Sequence, residues 1–97
     1  MNVYGYEVVE KFAKRHARSR SSLNLWRDTT LGSKWKNFDD VRKTFRTADI
    51  YGDCIIFDIG GNNYRRIAEI DYEAEQVSIK AIMTHSEYGK DKWKKNC

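Results

Sequence analysis

The sequence predicts an α+β fold in which N-terminal helices pack on one face of a mostly antiparallel sheet. Three observations carry this prediction. Apolar residues recur at helical spacing in the first half of the chain, they follow strand patterns in the second half, and the two kinds of segment do not alternate. Helices followed by strands favour segregated layers, and a sheet covered on one face is the simplest packing. A chain of 97 residues suits one hydrophobic core, so residues 1–97 are read as a single domain.

Taken in order, Met1-Asn2-Val3-Tyr4 is short and partly apolar, and leads as a strand into a first helix with Val9, Phe12, Ala13 and His16 inward. Lys11, Lys14, Arg15, Arg18 and Arg20 fill the opposite face, either as solvated surface or as a basic patch. Ser21 or Ser22 is expected to cap a second helix, with Leu23, Trp26 and Thr30 inward and Gly32 at its end. Asn37 is expected to cap a third, short helix that buries Phe38, Val41 and Phe45. The run from Cys54 to Ile59 is β-rich, Gly60-Gly61-Asn62-Asn63 is a turn cluster, and Tyr64 to Tyr72 is extended again, which together predict a hairpin. After a turn at Asp71 to Glu75, Val77, Ile79, Ala81 and Met83 alternate with Ser78, Lys80, Ile82 and Thr84, so one set should face the helices. Arg66 shares the parity of Tyr64, Ala68 and Ile70, which directs a cation toward the apolar face. It either snorkels at the sheet edge or a bulge breaks the alternation.

Composition narrows the function. Hydrophobic residues make up 40%, charged residues 33% and aromatics 13%, a globular balance. No apolar run approaches the roughly 20 residues that span a bilayer, and the N-terminus lacks the charged and apolar regions of a secretion signal. A cytoplasmic protein without a membrane partner is expected. Cys54, inside an apolar run, and Cys97, at the last position, do not make a disulfide framework and are expected to be reduced thiols. His16, His85, Cys54 and Cys97 are scattered rather than set at ligand spacing, so no metal or other cofactor is expected. Gly60-Gly61 lacks the Gly-Lys-Ser or Gly-Lys-Thr of a P-loop, and a helix-turn-helix pattern is absent. A net charge of +4 and a pI of about 9.1 fit a polyanionic partner such as RNA or an acidic protein, although charge also serves solubility.

Three segments, in order, are more specific: Phe45-Arg46-Thr47-Ala48-Asp49-Ile50-Tyr51-Gly52-Asp53, then Phe57-Asp58-Ile59-Gly60-Gly61-Asn62-Asn63-Tyr64-Arg65, then Thr84-His85-Ser86-Glu87-Tyr88. With Glu10-Lys11-Phe12 and Trp35-Lys36, their order and spacing resemble the HigB-type toxins of the RelE-like mRNA interferase superfamily across almost the whole chain. The resemblance implies a RelE-like fold and a type II toxin that cleaves mRNA within the ribosome. It also implies a HigA-like helix-turn-helix antitoxin, through which alone the toxin would meet DNA. Gly89 departs from the family, which often has an acidic residue directly after the tyrosine matching Tyr88.

Metal-free RNA cleavage uses attack by a 2′-hydroxyl on the adjacent phosphate, with groups to move protons and cations to hold the developing charge. Arg65, after the turn cluster, and Lys80, on the last long strand, are the cation candidates. His85 is the candidate for proton transfer, against a histidine that only hydrogen-bonds at a strand end. Tyr88 is assigned to stacking on a base or donating to a phosphate, against simple packing. Asn62 and Asn63 either satisfy the turn or contact RNA. Lys90, Lys92, Trp93 and Lys94 combine cations with an aromatic ring and are read as an RNA contact or a solvated end. The alternative to an endoribonuclease is a nonenzymatic RNA- or protein-binding module, a degenerate toxin of the same fold.

Overall fold

The computed structural model describes residues 1–97 and has the predicted α+β architecture. β1 (Asn2–Tyr4) turns into α1 (Tyr6–Arg15) at Gly5, where φ is 98° and an added Cβ would lie 2.6 Å from the Ile79 carbonyl oxygen. Only glycine satisfies both conditions. α1 buries Phe12 and Ala13, and α2 (Arg20–Leu31) buries Leu23, Trp26 and Thr30, the inward stripe read from the sequence. The expected cap at Ser21 or Ser22 is corrected. A single 3-10 turn at Ala17–Ser19 already carries the chain in helical geometry, α2 begins at Arg20, and the Ser19 hydroxyl donates back to the His16 carbonyl at 2.6 Å. α3 (Phe38–Thr44) starts where predicted, with the Asn37 side chain accepting the Asp40 N–H at 2.9 Å.

The sheet has the order β1-β5-β4-β3-β2, built from β2 (Asp49–Tyr51), β3 (Cys54–Ile59), β4 (Tyr64–Asp71) and β5 (Gln76–Thr84). β1 runs parallel to β5 and the other pairs are antiparallel. The β3–β4 hairpin sets Ile59 opposite Tyr64 and Asp58 opposite Arg65. β2 is a short exposed edge strand that the periodicity did not reveal, since three residues are too few to show a period.

One register change decides which face the end of β5 presents. Ala81 pairs with Ile67 but Ile79 pairs with Ala68, leaving Lys80 as the extra residue of a β-bulge. Val77 and Ile79 therefore pack with the helices, whereas Ala81 and Met83 pack with Cys54, Ile56, Ile67 and Trp93 on the opposite face. Strict alternation placed all four together, and the bulge corrects that expectation.

The helix-side core centres on aromatic contacts, with Phe57 at 5.2 Å from Trp26 and 5.3 Å from Phe45 between ring centroids. Both pairs are edge-to-face, an arrangement worth about 1 kcal/mol beyond burial. Arg66 stays on this face because the extra residue belongs to β5 and leaves the alternation of β4 intact. It is 1% exposed, its guanidinium carbon sits 4.0 Å from the Trp26 ring centroid, and its Nε and Nη1 have no partner. Burial pulls its pKa down to about 9, against an opposing influence from Tyr6. The ring of Trp26 also favours the charged form.

The second face is covered by the C-terminal residues. α4 (His85–Tyr88) follows β5 directly, and a 3-10 segment at Lys92–Asn96 then folds back and buries Trp93. Cys54 and Cys97 are joined by a disulfide across a sequence separation of 43, which corrects the expectation of two reduced thiols. The tail brings Cys97 to the start of β3, a proximity that spacing along the chain does not reveal. No helix is long and apolar enough to cross a membrane.

Candidate functional site

Three of the candidate residues, Arg65, His85 and Tyr88, come together at the end of the β3–β4 hairpin, where β5 passes into α4. Thr84 caps α4 reciprocally: its hydroxyl accepts the Glu87 N–H at 3.2 Å, and Glu87 Oε1 accepts the Thr84 N–H at 3.2 Å. The cap holds Glu87 below its ordinary pKa, mainly through the Thr84 backbone N–H and against some desolvation, with help from the Thr84 hydroxyl and the charges of Arg15 and His16. His85 is fixed by its own N–H, which donates to the Asn63 carbonyl at 3.0 Å.

Arg65 organises this end of the sheet. Its Nε donates to Asp58 at 3.0 Å and its Nη1 to the carbonyls of Asn62 and Tyr64 at 3.2 and 3.1 Å. Its Nη2 meets the Asn62 side-chain oxygen and His85 Nδ1, the latter at 3.2 Å. A guanidinium has five N–H donors, and each has a partner here. Arg65 therefore stabilises the turn and orients the imidazole, while its 7% exposure leaves little of it to grip a phosphate directly. No pair of N–H groups is left free for two parallel hydrogen bonds to a phosphate, although the positive charge remains at the site.

The Arg65 contact also selects the tautomer of His85. A guanidinium can only donate, so Nδ1 accepts and, in the neutral ring, the hydrogen lies on Nε2. Tyr88 lies between Arg65, 5.1 Å from its ring centroid, and Trp93, stacked at 5.0 Å and 11°. Stacking on a base is thus replaced by packing within the protein, and the hydroxyl is the group left to act. Burial raises the Tyr88 pKa, with Asp49 and Asp58 pushing the same way and Arg65 and Lys94 opposing, so the phenol keeps its proton at neutral pH.

The remaining candidates divide. Asn62 joins the centre through Arg65, and exposed Asn63 holds the His85 backbone. Lys80 does not join Arg65 and His85. The bulge leaves it beside Glu69, 3.3 Å from Oε1, along a strand in which Arg65 is paired with Met83, three residues further on. Trp93 is 7% exposed and gives its indole N–H to the Tyr88 carbonyl at 3.0 Å, so it is a packing residue and not an open stacking platform. Lys94 pairs with Asp91 at 3.4 Å and lies 5.1 Å from the Tyr51 ring centroid. Lys80, Lys90 and Lys92 instead border a cavity of about 630 Å³ between β5 and the tail.

Sequence reasoning missed Asp58, whose carboxylate completes the Arg65 network. The signal was present, since a four-residue turn from Gly60 to Asn63 sets Asp58 opposite Arg65 in the hairpin. It also missed His16, which lines a polar groove of about 580 Å³ with Arg18, Asn63 and Thr84.

Helices on one face of a five-stranded sheet, with a short helix closing the last strand, define an α+β protein. The model of the HigB toxin family, described as the RelE-like toxic component of a toxin-antitoxin system, matches residues 19–91. The chain belongs to that family. It is similar to the mRNA interferase toxin HigB of Escherichia coli K12, with 22% identity over 91 residues that cover 91% of this chain and 88% of the relative. The mRNA interferases HigB of Escherichia coli O157:H7 and Shigella flexneri match to the same extent.

Proposed function

We propose that residues 1–97 form one toxin domain that acts in the cytoplasm as a ribosome-dependent endoribonuclease, cleaving mRNA and so stopping translation. The observation that carries the reading is His85, held by Arg65 at 3.2 Å on the exposed end of the sheet, inside the segment Thr84 to Tyr88. In the proposed reaction the 2′-hydroxyl gives its proton to water as its oxygen attacks phosphorus. The bond from phosphorus to the 5′-oxygen breaks, that oxygen leaves with a proton, and a 2′,3′-cyclic phosphate results. The His85 Nε2–H and the Tyr88 hydroxyl donate to phosphoryl and leaving oxygens, while the charge of Arg65 stabilises the phosphorane. Asn62 and Asn63 hold the turn, and Lys80, Lys90, Lys92 and Lys94 attract the RNA backbone. No metal enters the reaction. A HigA-like helix-turn-helix antitoxin is the proposed inhibitor, and DNA is reached only through it.

The test is expression of the chain with primer extension on a reporter mRNA. Cuts should appear during translation and vanish when initiation is blocked. His85→Ala should lower cleavage by about 100-fold or more, the usual weight of positioned proton transfer. Absence of cuts in a translated message overturns the nuclease reading, and cuts that persist without translation overturn ribosome dependence. Full commitment of the Arg65 donors favours a second reading, a binding module without activity, which predicts RNA gel shifts with no scission.

A further inference from the structure

The largest cavity in the protein lies apart from the bond-breaking groups, and only the lysines at its border have so far been given a role. Its floor is apolar, formed by Ile67, Ala81, Met83 and the buried ring of Trp93, and its wall includes the disulfide between Cys54 and Cys97. Lys80, Lys90 and Lys92 stand at its border with one carboxylate, Glu87. About 630 Å³ lies within the range of small-molecule sites, and an apolar floor with a few charged groups is the pattern of a ligand pocket rather than of a packing defect.

Two features of the backbone build this space. β1 pairs only with Gln76–Ser78, so the outer edge of β5 from Ile79 onward has no strand beside it. The bulge then turns Lys80 and Ala81 toward the face that the tail covers. The Lys80 ion pair with Glu69 is half exposed, with side chains 40% and 38% accessible, and such a pair exchanges readily for a phosphate.

We infer that this cavity takes one nucleobase of the RNA strand, with the flanking phosphates on Lys80, Lys90 and Lys92, and that Glu87 selects bases carrying an exocyclic amino group. The inference rests on the RNA-cleaving reading and adds a base-reading subsite to it. An apolar floor suits a base withdrawn from water, and three ammonium groups suit the phosphates on either side. Glu87 Oε1 is committed to Thr84, whereas Oε2 has no partner in the protein. An ionised carboxylate only accepts hydrogen bonds, so it favours the amino group of cytosine over the carbonyl of uracil.

The experiment measures binding of 2′-O-methyl oligonucleotides, which cannot be cleaved, to the full oxidised chain by fluorescence anisotropy. A cytosine oligomer should bind about tenfold more tightly than a uracil oligomer. Glu87→Gln keeps an oxygen for the Thr84 cap and offers an amide N–H in place of Oε2, so it should reverse that preference. Lys80→Ala combined with Lys90→Ala should weaken both oligomers about tenfold or more, and circular dichroism verifies that the variants fold. Equal binding of the two oligomers together with no change in Glu87→Gln overturns base reading. Undiminished binding in the double lysine variant overturns the cavity as the site, as does capture of an acidic peptide with no capture of RNA. The cleavage assay separates the two readings: base-selective binding without scission keeps the subsite and removes the nuclease, and scission without base selectivity does the reverse.

Discussion

Breaking the Cys54–Cys97 bond should destabilise the whole protein, not only its tail. The cross-link spans 43 residues of sequence, and closing a loop of that length removes unfolded-state entropy worth about 4 kcal/mol at 25 °C. In a domain of this size about 1 kcal/mol moves the midpoint of thermal unfolding by roughly 4–8 °C, so reduction should lower it by about 15 °C or more. Thermal and urea unfolding followed by circular dichroism, with and without a dithiol reductant, measure the effect. A Cys54→Ser, Cys97→Ser double variant tests it without reductant. Two changes should appear together: a lower midpoint, and a steeper dependence on urea because the uncross-linked unfolded chain exposes more surface. Fluorescence adds a local readout, since Trp93 is buried by the segment the bond holds down. Identical midpoints and slopes for oxidised, reduced and double-variant protein would refute the reasoning, because they would mean that the bond does not constrain the unfolded chain.

Three further outcomes follow from buried charge and capping. Arg65→Lys keeps the charge but offers three donors for five partners, so it should cost about 2 kcal/mol at about 1 kcal/mol for each lost bond, read by urea unfolding. Unchanged stability would remove Arg65 as the organiser of the hairpin end. Arg66→Met should stabilise the protein by about 1–3 kcal/mol, because it removes two unsatisfied buried donors and fills similar volume. Since the folded-state pKa of Arg66 is lowered to about 9, the wild-type penalty is complete below that pH and shrinks as pH rises through it. The stability gap between the two proteins should therefore be smaller at pH 10 than at pH 7, and a constant gap would contradict a depressed guanidinium. Thr84→Ala should cost about 1 kcal/mol by removing the α4 cap, with faster amide exchange at Glu87, whose N–H the Thr84 hydroxyl accepts. The Glu87 half of this cap is present in full above its ordinary pKa of 4.5 and is lost as pH falls through its lower folded value, so exchange at Thr84 should quicken only in stronger acid.

Much of the fold is local and was legible in the residues. Leu23, Trp26 and Thr30 repeat at helical spacing and are buried as that spacing demands, Asn37 begins α3, and the turn after Ile59 sets the hairpin register. The candidate centre was legible in part. His85, Arg65 and Tyr88 meet, whereas Lys80 and Trp93 take other places. Period and turn chemistry depend on neighbours within a few positions, so the sequence by itself determined the first three helices, the long strands, the hairpin and the family resemblance, but not the three-residue β2. Tertiary structure alone decided that Lys80 bulges out of β5, that Arg66 lies buried on Trp26, that every Arg65 donor is engaged, and that Cys97 reaches Cys54. Each of these depends on which distant backbone or ring arrives beside the residue once the sheet, helices and tail have packed, and no spacing along the chain encodes that meeting.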